Sequence, residues 1–141
     1  MAFHLDLSDP DQARVAERLR TARILWLASV RPDGRPHLVP VWFLWEGATI
    51  LVFSKPQNQK VRNLRQNPNV TVSLDDTDEG DDVIVLEGVA ELVSEPTAAR
   101  VPPAYAEKYA EGLVEIGLSI EAMAREYSQP IHITITRQVS A

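Results

Sequence analysis

Two short apolar runs separated by a turn sequence constrain the fold of this chain more than any other feature. Residues 24–30 read ILWLASV, residues 37–45 read HLVPVWFLW, and RPDGRP stands between them. Apolar runs of this length predict strands, and the Pro-Asp-Gly sequence predicts a tight turn that joins them as a hairpin. The unbroken apolar pattern of residues 24–30 predicts a strand that is buried on both faces.

Further segments extend this β pattern along the chain. Short apolar or alternating runs predict strands at residues 49–54, 70–74, 82–93 and 131–139. We expect the strand at residues 49–54 to complete a meander with the hairpin, and Gly88 to mark a bulge in a long strand. Six strands with short connections favour a mainly β fold with small helices, built as a closed six-stranded antiparallel barrel.

Helical patterns are confined to short segments. Asp9 and Pro10 have the chemistry of a helix start, and apolar residues recur after them at helical spacing. Similar patterns predict short helices at residues 58–66, 104–111 and 119–127. A chain of 141 residues has the size of one domain, so we expect a single domain over residues 1–141.

Composition and motifs exclude several kinds of active site. The chain has no cysteine, which excludes a disulfide scaffold, a thiolate metal site and thiol catalysis. Its three histidines, His4, His37 and His132, do not have the spacing of metal ligands. No nucleophile elbow, P-loop or dinucleotide-binding glycine motif is present. We therefore expect neither a metal site nor a catalytic nucleophile.

The net charge and the hydropathy pattern indicate which binding partners and which cellular location to expect. The net charge of −6 disfavours a nucleic-acid partner. The longest apolar runs are too short to cross a bilayer, and the first residues, MAFHLDLSDPD, do not resemble a signal peptide. These features, with the absence of cysteine, lead us to expect a cytoplasmic protein without a membrane partner.

An acidic segment at residues 75–82 contains six carboxylates in eight residues. A solvated loop is the simpler interpretation of such a run. A calcium loop of the EF-hand type is the weaker alternative, because that motif requires glycine at its sixth position and glutamate at its twelfth.

The basic residues are concentrated where the chain lacks acids. Nine basic and only two acidic residues lie between positions 18 and 74, and none of residues 47–74 is acidic. Within this stretch, SKPQNQK at residues 54–60 connects a predicted strand to a predicted helix. A helix start with unpaired N–H groups and nearby lysines suits a phosphate group. An ordinary basic surface helix explains the pattern equally well.

Pro40 interrupts an otherwise uniform strand. Proline has no N–H for a sheet ladder, so it belongs on an edge strand or in a bulge. An exposed edge beside Val39, Pro40, Val41 and Trp42 suits a flat ligand. The alternative is that Pro40 only marks the end of the sheet and that the tryptophans belong to the core.

Three stretches of the chain resemble the flavin-binding split-barrel proteins related to pyridoxamine 5′-phosphate oxidase. They read LASVRPDGRPHLVPVWF, ILVFSKPQNQKVRNLRQNPNVTVSL and VLEGVAELV, and together they cover about half of the chain. Within this superfamily the sequence looks closest to the coenzyme F420 (deazaflavin)-dependent reductases. It differs from the oxidases themselves, because residues 41–47 read VWFLWEG and lack the basic run that those enzymes carry after the second strand.

The resemblance implies a six-stranded split β-barrel that forms a homodimer with two cofactor sites at its interface. It implies that Ser54, Asn58, Gln59 and Lys60 bind the cofactor phosphate, with Lys55 and Arg62 near the anionic tail. The ring is then expected along Val39, Pro40, Val41 and Trp42.

The resemblance also implies a hydride transfer between coenzyme F420 and a small organic acceptor, for which no side-chain nucleophile is needed. The alternatives are an FMN- or haem-binding enzyme on the same barrel, or a non-catalytic cofactor carrier. His37 is either a proton donor or a structural residue. Tyr105, Tyr109 and Tyr127 either line the substrate pocket or simply pack.

Overall fold

A computed structural model describes residues 2–75, 79, 80 and 82–139. Its helices and strands are α1 (Pro10–Thr21), β1 (Leu25–Val30), β2 (Pro36–Val41), β3 (Leu44–Trp45), β4 (Thr49–Ser54), α2 (Gln59–Gln66), β5 (Asn69–Leu74), β6 (Ile84–Leu92), α3 (Pro103–Lys108), α4 (Ala110–Ile116), α5 (Ile120–Glu126) and β7 (Gln129–Val139). No helix among these residues is long and apolar enough to cross a membrane. Residues 76–78 and 81, on which the calcium alternative depends, lie outside the described residues.

The strands form one antiparallel sheet in the order β2-β1-β5-β6-β7-β4-β3, which curls into a half-barrel. The mainly β fold with small helices is confirmed, but the prediction of a closed six-stranded barrel is wrong. The described sheet has seven strands, and its two ends are β2 and β3. The additional strand arises because residues 37–45, which were predicted as one strand, are divided into β2 and β3.

The division occurs at Phe43, whose backbone bonds to a helix instead of a strand. The N–H of Phe43 donates to the hydroxyl of Tyr109 at 2.9 Å, and its carbonyl accepts from Lys108 Nζ at 3.0 Å. The Tyr109 hydroxyl also lies 2.7 Å from the carbonyl oxygen of Arg23 and 3.0 Å from that of Phe43. A backbone group that bonds to a side chain is no longer free for a strand partner, so the ladder ends there.

The predicted meander is wrong for the same reason. β2 pairs with β1, whereas β4 pairs with β3 and β7 at the other end of the sheet. After Phe43 the chain therefore leaves one edge of the sheet and begins the opposite edge. The hairpin itself is confirmed, with a turn in which the N–H of Gly34 donates to the carbonyl of Arg31 at 2.8 Å.

Two apolar clusters stabilise the half-barrel. The main core lies inside the curled sheet and includes Leu27, Ile50, Val52 and Ile133. The second cluster lies on the opposite face of β3 and β4, where Phe53 and neighbouring residues pack against α3, α4 and α5. β4 is therefore buried on both faces, and the C-terminal helices are anchored beside the end of β2.

β1 does not have the environment that its composition predicts. Its burial alternates along the strand, and Trp26 is 41% exposed in the described chain. Leu38 on β2 and Val89 on β6 are also exposed, at 60% and 43%. The prediction of a strand buried on both faces is wrong, because none of the described helices covers the outer side of β1.

Gly88 lies at the predicted bulge, where the β6–β7 register shifts between Glu87 and Gly88. A Cβ atom at this position would lie 2.7 Å from the carbonyl oxygen of Thr134 and 2.9 Å from a methyl carbon of Ile133. The close approach of β7 therefore explains the glycine.

We predict that Tyr109→Phe destabilises the fold by about 1–3 kcal/mol, because it leaves the buried N–H of Phe43 without its partner. Urea unfolding measures the change. Tyr105→Phe is the matched control, since Tyr105 lies in the same cluster and its hydroxyl makes no hydrogen bond with the described residues. Equal losses in the two variants would contradict the role given to the Tyr109 hydroxyl.

Candidate functional site

A cavity of about 290 Å³ lies between the end of β2, β4, the start of α2 and the C-terminal helices. It brings together four residues of the predicted site, namely Pro40, Val41, Trp42 and Lys60. The other lining residues are Phe53, Tyr105, Ile116, Met123 and Tyr127. Among the described residues no carboxylate lines this cavity, and Lys60 is the one charged side chain in its wall.

The aromatic walls of the cavity are held in defined orientations. The ring of Trp42 stacks on Tyr109 with 4.4 Å between centroids and an angle of 3° between planes. The rings of Phe53 and Tyr105 meet edge to face at 4.8 Å. Burial raises the pKa of Tyr109 to about 12 and that of Tyr105 further, so both phenols are neutral at physiological pH. The site therefore offers rigid, uncharged aromatic surfaces to a ligand.

Lys60 is half-buried in the first turn of α2, directly after the Asn58 cap. Burial lowers its pKa from the ordinary value, because the charged form loses solvation. Its amine forms no ion pair or hydrogen bond with the described residues. The first turn of α2 also contains no acidic side chain. A partly desolvated cation without a protein partner is favourable for binding an anion.

The connecting loop places the other predicted phosphate residues in different environments. Ser54 is fully buried, and its hydroxyl donates to the carbonyl of Lys55 at 2.9 Å. Asn58 occupies the N-cap position, but its side chain makes no capping bond. Lys55 pairs with Glu126 at 3.2 Å and lies 5.5 Å from the ring centroid of Tyr127. Lys55 therefore lies beside the cavity, whereas the Ser54 hydroxyl is occupied.

Gln59 and Arg62 are linked along the surface of α2. Gln59 Oε1 accepts from Arg62 at 2.6 Å, and Gln59 Nε2 donates to Asn63 Oδ1 at 2.8 Å. Arg62 is exposed. Val39 packs against the core of the half-barrel and does not line the cavity.

Asn63 is a polar residue of α2 that faces the core. The spacing of residues 60 and 63 predicts a shared polar face away from Val61 and Leu64, but Asn63 is fully buried with them, so this expectation is wrong. Its Nδ2 donates to the hydroxyl of Ser29 on β1 at 2.9 Å. The bond to a buried serine compensates for the burial of the amide and joins α2 to the sheet.

His37 lies opposite Ser29 on the neighbouring strand. Its Nδ1 atom is buried and has no hydrogen-bond partner among the described residues. Burial is the main cause that lowers the pKa of His37, and the positive charges of Arg31 and Lys60 lower it further. The imidazole is therefore neutral near pH 7.

The sequence patterns missed Phe53, Ile116 and Met123 as lining residues. Phe53 belongs to the continuous apolar run of β4, which identifies its strand but not the cavity. Ile116 and Met123 lie in helices whose packing only the folded chain reveals. A larger cavity of about 1070 Å³ lies under the N-terminal segment beside Trp45, and it contains none of the predicted site residues.

Comparison with known proteins identifies relatives of the whole fold. The family model described as pyridoxamine 5′-phosphate oxidase matches residues 12–135. No curated protein matches the sequence. A solved structure of the conserved hypothetical protein Rv2991 from Mycobacterium tuberculosis is 29% identical, with 89% of this chain and 81% of that chain covered and a TM-score of 0.70.

Two further solved structures are similar. One, described as an F420 reductase, is 26% identical over 87% of this chain and 94% of its own, with a TM-score of 0.66. The heme storage protein HutZ from Vibrio cholerae is 18% identical over 96% and 92%, with a TM-score of 0.63, and shows a shared fold only.

Proposed function

This chain belongs to the pyridoxamine 5′-phosphate oxidase family, and from that membership we propose that it is an oxidoreductase dependent on coenzyme F420. It transfers a hydride between the deazaflavin ring and a small organic acceptor. The observation that carries the proposal is the cavity in which Pro40, Val41 and Trp42 meet the unpaired amine of Lys60. Similarity to an F420 reductase over most of both chains supports this choice of cofactor.

The residues around the cavity suit a cofactor with a flat ring and a phosphate. Lys60 has no anionic partner in the described chain, and Nδ1 of His37 lacks a hydrogen bond. We assign Lys60, Asn58 and Gln59 to the phosphate, with the backbone of Ser54 beside them. Lys55 and Arg62 are assigned to the anionic tail. The ring is assigned to the edge of β2 along Val39, Pro40, Val41 and Trp42.

A bound deazaflavin supplies the hydride chemistry, so the protein needs no nucleophile of its own. Trp42 is held against Tyr109 and gives the site a fixed wall. Phe53 and Tyr105 exclude water from the apolar side, which favours a small planar acceptor. Lys60 orients the anionic part of the cofactor through its charge.

We further propose a homodimer with two cofactor sites at the interface. The outer face of β2, β1, β5 and β6 exposes apolar side chains, including Trp26, Leu38 and Val89. Large exposed apolar side chains on one face of a sheet favour a protein interface there. A second copy of the chain on this face would bury the outer side of β1 and extend each site from the β2 edge. We place the reaction in the cytoplasm, where a cysteine-free chain fits the reducing conditions.

A direct titration distinguishes the cofactor classes. Trp42 lies in the cavity, so a cofactor bound there should quench the tryptophan fluorescence of the purified protein. We expect coenzyme F420 to do so at lower concentrations than FMN. Loss of deazaflavin absorbance with a screen of acceptors then tests for an enzyme. Tighter FMN binding would support a flavoprotein instead, and F420 binding without turnover of any acceptor would support a carrier.

We predict that Lys60→Met lowers the affinity for F420 by about 10- to 100-fold, because a charge-assisted hydrogen bond contributes about 1.5–3 kcal/mol. Its free energy of unfolding should not fall, since no protein ion pair is lost. Arg65→Met is the matched control on the exposed side of the same helix and should bind normally. Equal affinities of the two variants would refute the phosphate assignment.

We predict that Leu38→Glu converts the dimer into a monomer, because it places a charge on the exposed apolar face of β2. Sedimentation velocity measures the change. Val114→Glu on α4 replaces an even more exposed residue that lies away from this face, and it should remain dimeric. A wild-type chain that sediments as a monomer would contradict the proposed assembly.

A further inference from the structure

Three basic residues lie around the contact that joins β1, β2 and α2, where Asn63 bonds to Ser29 and Ser29 faces His37 across the sheet. Arg31 follows β1, His37 belongs to β2, and Lys60 lies in the first turn of α2. Arg31 Nη1 donates to the carbonyl of Pro36 at 2.8 Å, which folds its side chain back along β2. The charges of Arg31 and Lys60 both act on the imidazole of His37. The sheet and the helix thus bring together cations that are far apart in the sequence.

The groups packed around His37 provide no negative charge to balance this cluster. Ser29 on β1 and Asn63 on α2 are neutral and bond to each other. Asp33 lies in the turn near Arg31, but its carboxylate accepts hydrogen bonds from the backbone and side chain of Arg35. The charged groups that act on the imidazole are therefore both positive.

Partial burial and the positive charges of Arg31 and Lys60 all disfavour the protonated imidazole of His37, so its pKa lies below the ordinary value. In addition, the Nδ1 atom of His37 is buried without a hydrogen-bond partner among the described residues. A buried polar atom without a partner is rare in folded proteins and indicates a bound water, a bound ion or a functional role. An anion near these three side chains would offset the positive charges that disfavour protonation of His37. It would also give the imidazole a hydrogen-bond partner.

We propose that His37 is an additional ligand of the phosphate, acting with Lys60 and Arg31, and that it takes up one proton when the phosphate binds. The inference rests on the proposed function, because it assumes a phosphate-bearing cofactor at this site. The proton comes from solvent and no covalent bond changes. The negative charge offsets the repulsion by Arg31 and Lys60, so the protonated imidazole becomes stable and donates a hydrogen bond.

Proton uptake links affinity to pH in one direction. In the free protein the pKa of His37 is below its ordinary value, and the bound phosphate raises it. Between these two pKa values the complex holds one more proton than the free protein. Affinity therefore falls with rising pH, by up to about tenfold per pH unit. Below the lower value and above the upper value, His37 contributes no pH dependence.

The titration of His37 can be followed directly by NMR of the histidine ring protons in the wild-type protein. His37→Gln assigns the His37 signal, while His4 and His132 serve as internal references. We expect saturating F420 to raise the pKa of His37 by at least one unit and to leave that of His132 in place. The pH dependence of F420 affinity should flatten in His37→Gln and persist in the control His132→Gln.

The outcomes separate this inference from the proposed function. If F420 quenches the tryptophans but the His37 titration does not move, the inference is wrong and the function stands. If neither F420 nor FMN binds, the proposed function fails, and inorganic phosphate becomes the probe. A phosphate-dependent rise in the pKa of His37 then supports an anion site formed by these side chains, and an unchanged titration overturns it.

Discussion

The hydroxyl of Tyr109 determines how the chain passes from one edge of the half-barrel to the other. It accepts the N–H of Phe43 and lies against the carbonyl of Arg23, while Lys108 satisfies the carbonyl of Phe43. These bonds replace the strand partners that Phe43 would otherwise need. β2 therefore ends at Val41, β3 begins at the far edge, and a space remains between them. Both the topology and the candidate site depend on this arrangement.

The same tyrosine connects the fold to the proposed chemistry. Trp42 precedes Phe43 and stacks on the ring of Tyr109, so the residue that interrupts the strand also orients one wall of the cavity. The C-terminal helices that carry Tyr105 and Met123 complete the opposite side from the same chain. A rigid aromatic site of this type suits the proposed function, in which a bound cofactor would supply the chemistry and the protein its orientation. Differences in these helices provide a physical basis for different acceptors.

Two side chains of the proposed binding region, Lys60 and His37, have a polar group without a partner among the described residues. By contrast, Arg14, Arg20 and Arg137 lie on the surface, and each forms an ion pair with a carboxylate. Lys60 is half-buried without one, and His37 has a buried nitrogen without a hydrogen bond. Unfavourable groups of this kind are expected at functional sites, where a ligand completes their interactions. The carboxylate-free stretch of residues 47–74 is the sequence counterpart of this local imbalance.

The sequence alone determined the local elements, because strand periodicity, turn chemistry and helix caps act between residues that are close along the chain. The hairpin around Gly34, the caps of α1 and α5, the bulge at Gly88 and the edge position of Pro40 were all predictable. Family resemblance added the expectation of a split barrel, and it predicts a cofactor region that stays a prediction. Tertiary structure decided the remainder: the division of residues 37–45, the burial of Asn63 against Ser29, and the approach of α2 to the strand that carries His37. Each depends on a partner tens of residues away, and a local pattern carries no information about which distant group will satisfy a backbone or a charge.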